Sequence, residues 1–140
     1  MFIDRLSVEQ RQALYELLCY VAQADNEVSE EEQRLLNRYS SLLQLTPVED
    51  ISTVDVDANV AMMQTKEDKG IALQELIRMS YQDGHFGPEE QEKVYSIAKK
   101  MGLSDARQVV KIEDWVRRGV EWRIEGEELI KTISTSWGHS

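Results

Sequence analysis

The chain has 140 residues and a formal net charge of -10, from 26 Asp and Glu against 16 Lys and Arg. This length suits one domain, numbered 1–140, and 41% hydrophobic residues exclude wholesale disorder. The acidic balance argues against a nucleic-acid partner and against an anionic lipid surface, because both attract clustered basic residues. A cation or a protein with a basic surface is the expected ligand.

Cys19 is the only cysteine, which excludes an intramolecular disulfide and a zinc site built on cysteines. It lies within an apolar helical stretch, so we expect a buried packing thiol. No apolar run approaches the roughly 20 residues of a membrane span. The N-terminal sequence MFIDRLSVEQ lacks the apolar core of a secretory signal. These features predict a cytoplasmic protein without direct membrane insertion.

The first helix is predicted to begin after Ser7, because Gln10 follows three residues later and completes a capping box. Apolar residues then recur at helical spacing until about Ala24, as one stripe of an amphipathic helix. The members of this stripe are Leu14, Leu17, Leu18 and Val21.

A second helix is predicted after Ser29, where Glu32 completes another capping box. A third start signal follows at Thr46, with Pro47 at the first helical position and Glu49 behind it. The segment 51–66 is interpreted as a linker that leads to a short helix around residues 59–64. The apolar stripe of the second helix is predicted to contain Leu35, Leu36, Tyr39, Leu42 and Leu43.

In the second half of the chain, the sequence predicts a helix over about residues 67–81. It predicts another helix that begins at Pro88 and is capped by Gly102. Ser104 opens a further helix, which Gly119 is predicted to end or bend before a last helix. No segment favours paired strands, so the sequence predicts an all-α fold, a compact bundle of six to eight helices. Its apolar positions are Ile71, Leu73, Leu76, Ile77, Met79, Val94, Ile97, Ala98, Met101, Val109, Ile112, Val116, Trp122, Leu129, Ile130 and Ile133.

Two acidic segments, ADNEVSEEE at 24–32 and QDGHFGPEE at 82–90, coincide when the sequence is shifted by 58 residues. Asp25 then falls on Asp83, and Glu32 on Glu90. The strings ALYEL and ALQEL are one residue out of this register, which predicts loops or helices of slightly different length. A helix–acidic loop–helix unit is therefore repeated, and two such units would bury their apolar faces against each other.

These paired motifs resemble the tellurite-resistance TerB-like family, which includes the N-terminal domain of a membrane-anchored DnaJ-like co-chaperone. The tail WVRRGVEWRIEGEELI is similar to the C-terminal helices of that family, and the resemblance covers about Leu14 to Ile133. It implies a compact all-helical bacterial domain whose acidic motifs are proposed to bind a divalent metal ion. It also implies association with tellurite and stress resistance, often near the inner membrane.

The aspartate of the family motif corresponds to Asp25 and Asp83, and its glutamate seven residues later corresponds to Glu32 and Glu90. One departure is Asn26, which stands where the family usually has glycine, although asparagine tolerates a left-handed backbone better than most residues. The resemblance thus implies a metal site, and the repeat predicts one cation-binding patch. Its residues are Asp25, Glu32, Asp83 and Glu90, with Glu31 and Glu89 as auxiliary acids.

The same acids have a purely structural interpretation. A glutamate at the third position of a helix caps the backbone, and an aspartate before it closes a turn. Hard oxygen ligands suit Ca²⁺, Mg²⁺ or Mn²⁺, but the loops lack the EF-hand pattern. Helix N-termini carry partial positive charge, so a bound cation is expected to have modest affinity. No motif for an organic cofactor is present.

Chemistry beyond the acidic loops is sparse. His85 is interpreted as an exposed loop residue, with a ligand role as the alternative, and His139 lies next to the end of the chain. The sequence contains no serine-hydrolase spacing, phosphate loop or HExxH helix, so we expect a protein that is not an enzyme.

The C-terminal region carries three tryptophans. Trp115 and Trp122 are predicted to anchor the core, whereas Trp137 is interpreted as a partner contact or as part of a disordered tail. The nearby basic residues are interpreted as solvated helix charges, or as partners of acids such as Glu121. They are Arg117, Arg118 and Arg123.

Two classes of function remain open from the sequence. The first is a metal-binding regulatory domain of the stress-resistance kind. The second is a metal-independent helical interaction module that docks a basic partner through its acidic face. In either class we expect a protein partner, which would hold the chain peripheral to the inner membrane.

Overall fold

The computed structural model describes residues 2–23, 28–81, 87–103 and 106–137, and every regular element in these ranges is helical. The all-α prediction is therefore confirmed, with six α-helices in the described ranges and two short 3-10 turns, Ile3–Arg5 and Ile51–Thr53. The α-helices are α1 (Val8–Ala22), α2 (Glu30–Leu42), α3 (Val56–Ala61), α4 (Lys66–Ser80), α5 (Pro88–Lys100) and α6 (Ala106–Trp137).

Side-chain caps set the starts of α1, α2 and α4. Both predicted capping boxes are present, at the starts of α1 and α2. A third box, between Thr65 and Asp68, begins α4 and was not recognised in the sequence. Pro88 occupies the first turn of α5, as predicted. The two predicted boxes join Ser7 with Gln10 and Ser29 with Glu32.

The internal repeat is closer than the sequence predicts. Helices α1 and α4 are both 15 residues long and helices α2 and α5 are both 13, and each pair is offset by 58 residues. The predicted difference in loop or helix length between the two halves is therefore wrong. The similar strings ALYEL and ALQEL do not mark equivalent positions, because the buried positions follow the helical period. The buried positions of α1 are Ala13, Leu14, Tyr15, Leu17, Leu18, Cys19, Val21 and Ala22, and the same positions of α4 are Ile71, Ala72, Leu73, Glu75, Leu76, Ile77, Met79 and Ser80.

The second helix of each half also ends in the same way. Gln44 and Gly102 both have a left-handed backbone, with φ of 54° and 78°, so the predicted glycine cap of α5 is confirmed and α2 has an equivalent without glycine. Each turn is a Schellman motif, in which the amide after the left-handed residue donates to a carbonyl five residues earlier. These bonds run from Leu45 N to Ser40 O at 2.8 Å and from Leu103 N to Ala98 O at 2.9 Å.

The predicted helix at Thr46 and Pro47 is wrong. The side chain of Gln12 in α1 instead holds this segment: its Nε2 donates to Thr46 O at 3.0 Å and its Oε1 accepts from Thr46 N at 2.9 Å. A helix at this position would redirect these backbone groups. The predicted short helix exists as α3 but begins earlier, because the side chain of Asp55 caps Ala58 N at 3.1 Å.

Helix α1 is central to the fold, because it contacts α2, α3, α4 and α5. Helix α4 contacts α5 and α6 as well as α1.

Cys19 is buried in this core, as predicted, and burial raises the pKa of its thiol to about 11. The predicted stripe of α2 is only partly correct, since Leu42 is 74% exposed.

Helix α6 is a single element of 32 residues, so the prediction that one helix ends at Gly119 and a last helix follows is wrong. Its first half packs on α4 through Val109 and Val116, which are buried. Its second half extends beyond this contact, so Trp122 is exposed and does not anchor the core, and Trp115 is 38% exposed. Leu129, Ile130 and Ile133 are also exposed.

Two smaller predictions concern the same helix. Arg117 and Arg118 both pair with Asp114, and Arg117 Nε also lies 4.0 Å from Glu121 Oε1, which favours the ion-pair interpretation for these two arginines. The side chain of Trp137 lies outside the described part of the chain. Across the described ranges, no helix has both the length and the apolar character needed to cross a membrane.

Candidate functional site

The two acidic loops leave the bundle from one end. Gln10 Nε2 donates to Asp68 Oδ2 at 2.9 Å and joins the first turns of α1 and α4. Helices α1 and α4 run in the same general direction, because their first turns are joined, the two helices pack together and α5 contacts the end of α1. Their last residues, Ala22 and Ser80, therefore lie at the same end of the bundle, and each is followed by one acidic loop.

Helix α5, which follows the second acidic loop, packs against α1, which precedes the first loop. In the same way, α2 follows the first loop and packs against α4, which precedes the second. Lys93 of α5 donates to Tyr20 O near the end of α1 at 3.3 Å, and its Nζ lies 4.0 Å from the centre of the Tyr20 ring. In the other half, Tyr39 of α2 accepts from Arg78 Nη2 near the end of α4 at 3.0 Å. The two halves are thus interlocked around the end that carries the loops.

Glu32 and Glu90 are buried, with only 6% and 8% of their surface exposed. Both are the third residue of a helix that follows an acidic loop, as predicted. Gln10 and Asp68 occupy the same position in α1 and α4 and complete capping boxes there, yet both remain partly exposed. Capping alone therefore does not require burial, and buried carboxylates are rare unless they are paired or bind a metal.

The other predicted ligands have different positions. Glu31 and Glu89 are exposed on the first turns of α2 and α5. Asp25 and Asp83 lie outside the described residues, as do Asn26, His85 and His139. Within the described ranges alone, no three His, Cys, Asp or Glu side chains form a group that could hold a metal ion. The four-carboxylate patch therefore stays a prediction.

The chemistry of the predicted donors fits a hard divalent cation, because all of them are carboxylates. Glu32 Oε1 already accepts the Ser29 amide at 3.2 Å. The partial positive charge at the start of α2 and α5 stabilises the ionised glutamates but opposes a cation beside them.

A buried polar cluster that no sequence motif predicts joins α2 to α4. Glu75 is 2% exposed and accepts a short hydrogen bond from the Tyr39 hydroxyl and one from Arg78 Nη2 at 2.6 Å. The matching position of the first half is Leu17, so the glutamate in ALQEL, at a core position of the repeat, was the available signal. Burial and the neighbouring Glu75 carboxylate raise the pKa of Tyr39 far above its ordinary value.

The Glu75 carboxyl has a pKa below its ordinary value. Burial alone would raise the pKa, but the hydrogen bond from Tyr39 and the charge of Arg78 together lower it. A carboxyl with a depressed pKa stabilises the fold fully above the unfolded-state pKa, and this stabilisation is lost as the pH falls through the folded-state pKa.

We therefore expect the free energy of unfolding to decrease as the pH falls below about 4.5, the ordinary pKa of Glu75. Urea unfolding at a series of pH values measures this slope. The Glu75→Gln variant, which cannot titrate at this position, should show a shallower slope over the same range. Equal slopes for the two proteins would contradict the assigned shift.

A second polar contact fixes the start of α6. Glu113 accepts from the Tyr95 hydroxyl at 2.8 Å and from the Tyr81 hydroxyl at 3.3 Å, which ties α6 to α5 and to the end of α4. Burial and the hydrogen bond to Glu113 raise the pKa of Tyr95 to about 12, so the phenol stays protonated as a donor at neutral pH. The end of the bundle that carries the second loop is thus braced by α6.

Comparison with known proteins gives one finding. Residues 2–55 match the family model described as tellurite resistance protein TerB, and this range contains α1, the first acidic loop and α2. No curated protein and no solved structure matches the chain significantly. The TerB-like resemblance inferred from the paired motifs is therefore confirmed over residues 2–55, and this part of the chain is TerB-like.

Proposed function

We propose that this chain is a TerB-like, stress-associated domain that binds a divalent metal ion through its two acidic loops and acts as a regulatory or interaction module. The match to TerB supports the association with tellurite resistance, and TerB is not a known enzyme family. The ligands would be Asp25, Glu32, Asp83 and Glu90, with Glu31 and Glu89 at the rim.

The burial of Glu32 and Glu90 carries this proposal. Both glutamates lie at the end of the bundle from which the two loops leave, and both are more buried than the capping residues Gln10 and Asp68. A bound cation would offset the repulsion among the carboxylates of the proposed patch. The protein groups would orient the ion and bind it, and no catalytic step is implied.

The second candidate is a metal-independent module that docks a basic protein partner through this acidic end. The capping box of Ser29 and Glu32 favours it, because this contact gives Glu32 a structural role without any metal. Glu31 and Glu89 are exposed and would be available to basic side chains of such a partner. The peripheral placement near a membrane would come from this partner.

Thermal unfolding with and without metal separates the two candidates. If Ca²⁺, Mg²⁺ or Mn²⁺ binds the folded state, a concentration of 100 times Kd stabilises it by about 2.7 kcal/mol and raises the melting temperature. We expect Asp83→Asn to remove most of this gain. Asp25→Asn should remove less of it, because Asn26 already departs from the family pattern in that loop. Both variants should melt no lower than wild type without metal, since each relieves repulsion.

The matched control is Glu9→Gln. Glu9 is an exposed first-turn acid of α1, at the opposite end of the bundle from the loops, so its removal should leave the metal effect unchanged. A wild-type melting curve that none of the three metals moves at millimolar concentration would reject the metal proposal and favour the docking module. Loss of the gain in Glu9→Gln would show that the effect depends on net charge alone.

A further inference from the structure

Helix α6 carries an apolar stripe whose first residue, Ile112, packs partly against the core and whose later large side chains are left exposed by its own chain. Its residues are spaced alternately by three and four positions, which keeps them on one face of a helix and matches the seam of a two-stranded coiled coil. Trp122 is 77% exposed, and further along the stripe Leu129 and Ile133 are exposed at 63% and 50%. The stripe consists of Ile112, Trp115, Gly119, Trp122, Gly126, Leu129 and Ile133.

Two glycines alternate with the two tryptophans in this stripe. Glycine weakens the interior of a helix relative to alanine, so Gly119 and Gly126 need a reason to be there. The fold of the single chain gives none, because a Cβ added at either position would meet nothing within 4 Å. Both glycines have φ outside the left-handed region, so backbone conformation does not require them either. A close approach by another molecule is the remaining physical reason.

We propose that a second copy of this chain pairs with α6 in an antiparallel arrangement along this stripe. In an antiparallel pair, each tryptophan can face a glycine of the other helix. The register that places Trp122 over Gly119 of the second copy also places Trp115 over Gly126. The same register brings Ile112 opposite Leu129, and by two-fold symmetry every contact occurs twice.

Charged residues beside the stripe favour the same register. Arg118 and Glu125 both flank the stripe on one side, and in the antiparallel register Arg118 of each copy faces Glu125 of the other. A parallel pair would instead bring Arg118 close to Arg123 of the second copy, which is repulsive. The cleft of about 500 Å³ beside Trp115 and Trp122 is also lined by Arg78, Arg118 and Arg123, so it attracts an acidic helix.

The second half of α6 is such a helix. It combines the exposed apolar residues with Glu125, Glu127 and Glu128. The paired segment, residues 112–129, would be about 26 Å long at 1.5 Å per residue. The exposed parts of four tryptophans supply on the order of 400 Å², a large share of the roughly 1,200 Å² of the smallest stable interfaces.

The first test is the mass of the full chain in solution, measured by sedimentation equilibrium over a wide range of concentrations. We expect a reversible dimer with about twice the mass of the 16.2 kDa chain. The Gly119→Leu and Gly126→Leu double variant should be monomeric, because its side chains fill the space for the tryptophans. Its melting temperature at low concentration should not fall below that of wild type, since leucine favours the helix and the space is open in one chain.

A matched pair of variants tests the face of the helix. Leu129→Glu places an acid in the stripe and should dissociate the dimer. Ile124→Glu is the control, because Ile124 is also exposed, at 44%, but lies on the opposite face of α6. This control should retain the wild-type mass. Circular dichroism should show the same helix content in both variants.

A charge exchange tests the register. Arg118→Glu and Glu125→Arg should each weaken the homodimer on the order of tenfold, because each replaces two attractive pairs by repulsive ones. An equimolar mixture of the two variants should form a heterodimer, since both pairs then join opposite charges. A monomeric wild-type chain at every concentration, a dimer that tolerates the double leucine variant, or a mixture that does not associate would each overturn the proposal.

Discussion

Replacement of Glu75 by alanine should lower the free energy of unfolding by about 3–5 kcal/mol, because it leaves the partly buried Arg78 charge without its carboxylate. It also removes the acceptor of the Tyr39 hydroxyl and opens a cavity at a position that is 2% exposed. Urea unfolding of the wild type and the variant at neutral pH measures the difference.

Glu67→Ala is the control, since Glu67 lies on the same helix, pairs with Arg5 and has a side chain that is 64% exposed. This surface pair should contribute no more than about 1 kcal/mol. Equal losses in the two variants would show that the buried cluster adds nothing beyond a surface ion pair.

The internal repeat suggests substitutions that should restore the stability lost in Glu75→Ala. The positions of Tyr39, Glu75 and Arg78 are occupied in the other half by Ile97, Leu17 and Tyr20. A triple variant that carries these three residues should recover most of the stability lost in Glu75→Ala, because well-packed apolar residues often replace a buried ion pair without cost.

Leu76→Ala should also have a large effect, a loss of about 2–5 kcal/mol in the free energy of unfolding. Leu76 is 0% exposed in the second half of α4, a helix that packs on elements of both halves, so removal of the side chain leaves a cavity in the core. Chemical unfolding measures this loss under the same conditions as for Glu75→Ala.

Leu42→Ala is its counterpart, since the sequence assigns Leu42 to a core stripe but the structure leaves it 74% exposed. We expect Leu42→Ala to change stability by no more than about 0.5 kcal/mol. A similar loss of unfolding free energy in Leu42→Ala and Leu76→Ala would indicate that Leu42 is buried, as the sequence predicts.

Local chemistry explains why much of the fold is predictable. A capping box such as Ser29 with Glu32 acts within four residues, and the left-handed turn at Gly102 needs no distant partner. The failures have long-range causes. The segment at Thr46 is held by Gln12, which lies 34 residues away, and α6, whose first half packs on α4, continues as a helix through Gly119.

In the candidate site, too, some features could be predicted from local sequence and others depend on distant contacts. The repeat identified Glu32 and Glu90 as related residues, but their burial depends on the packing of four helices and could not be predicted from the loops. The Glu75 cluster was missed because a glutamate in an amphipathic helix resembles a surface residue. Its partners Tyr39 and Arg78 come together only when α2 packs on α4.

The packing of α1 has a consequence for the order of folding. The segment that matches TerB, residues 2–55, contains α1 and α2, yet three of the four helices that α1 contacts most, α3, α4 and α5, come later in the chain. The central α1–α4 contact joins positions about 58 residues apart, so a long loop must close before either helix is covered. The two halves are therefore expected to fold in one cooperative step, with each serving as the template on which the other becomes ordered.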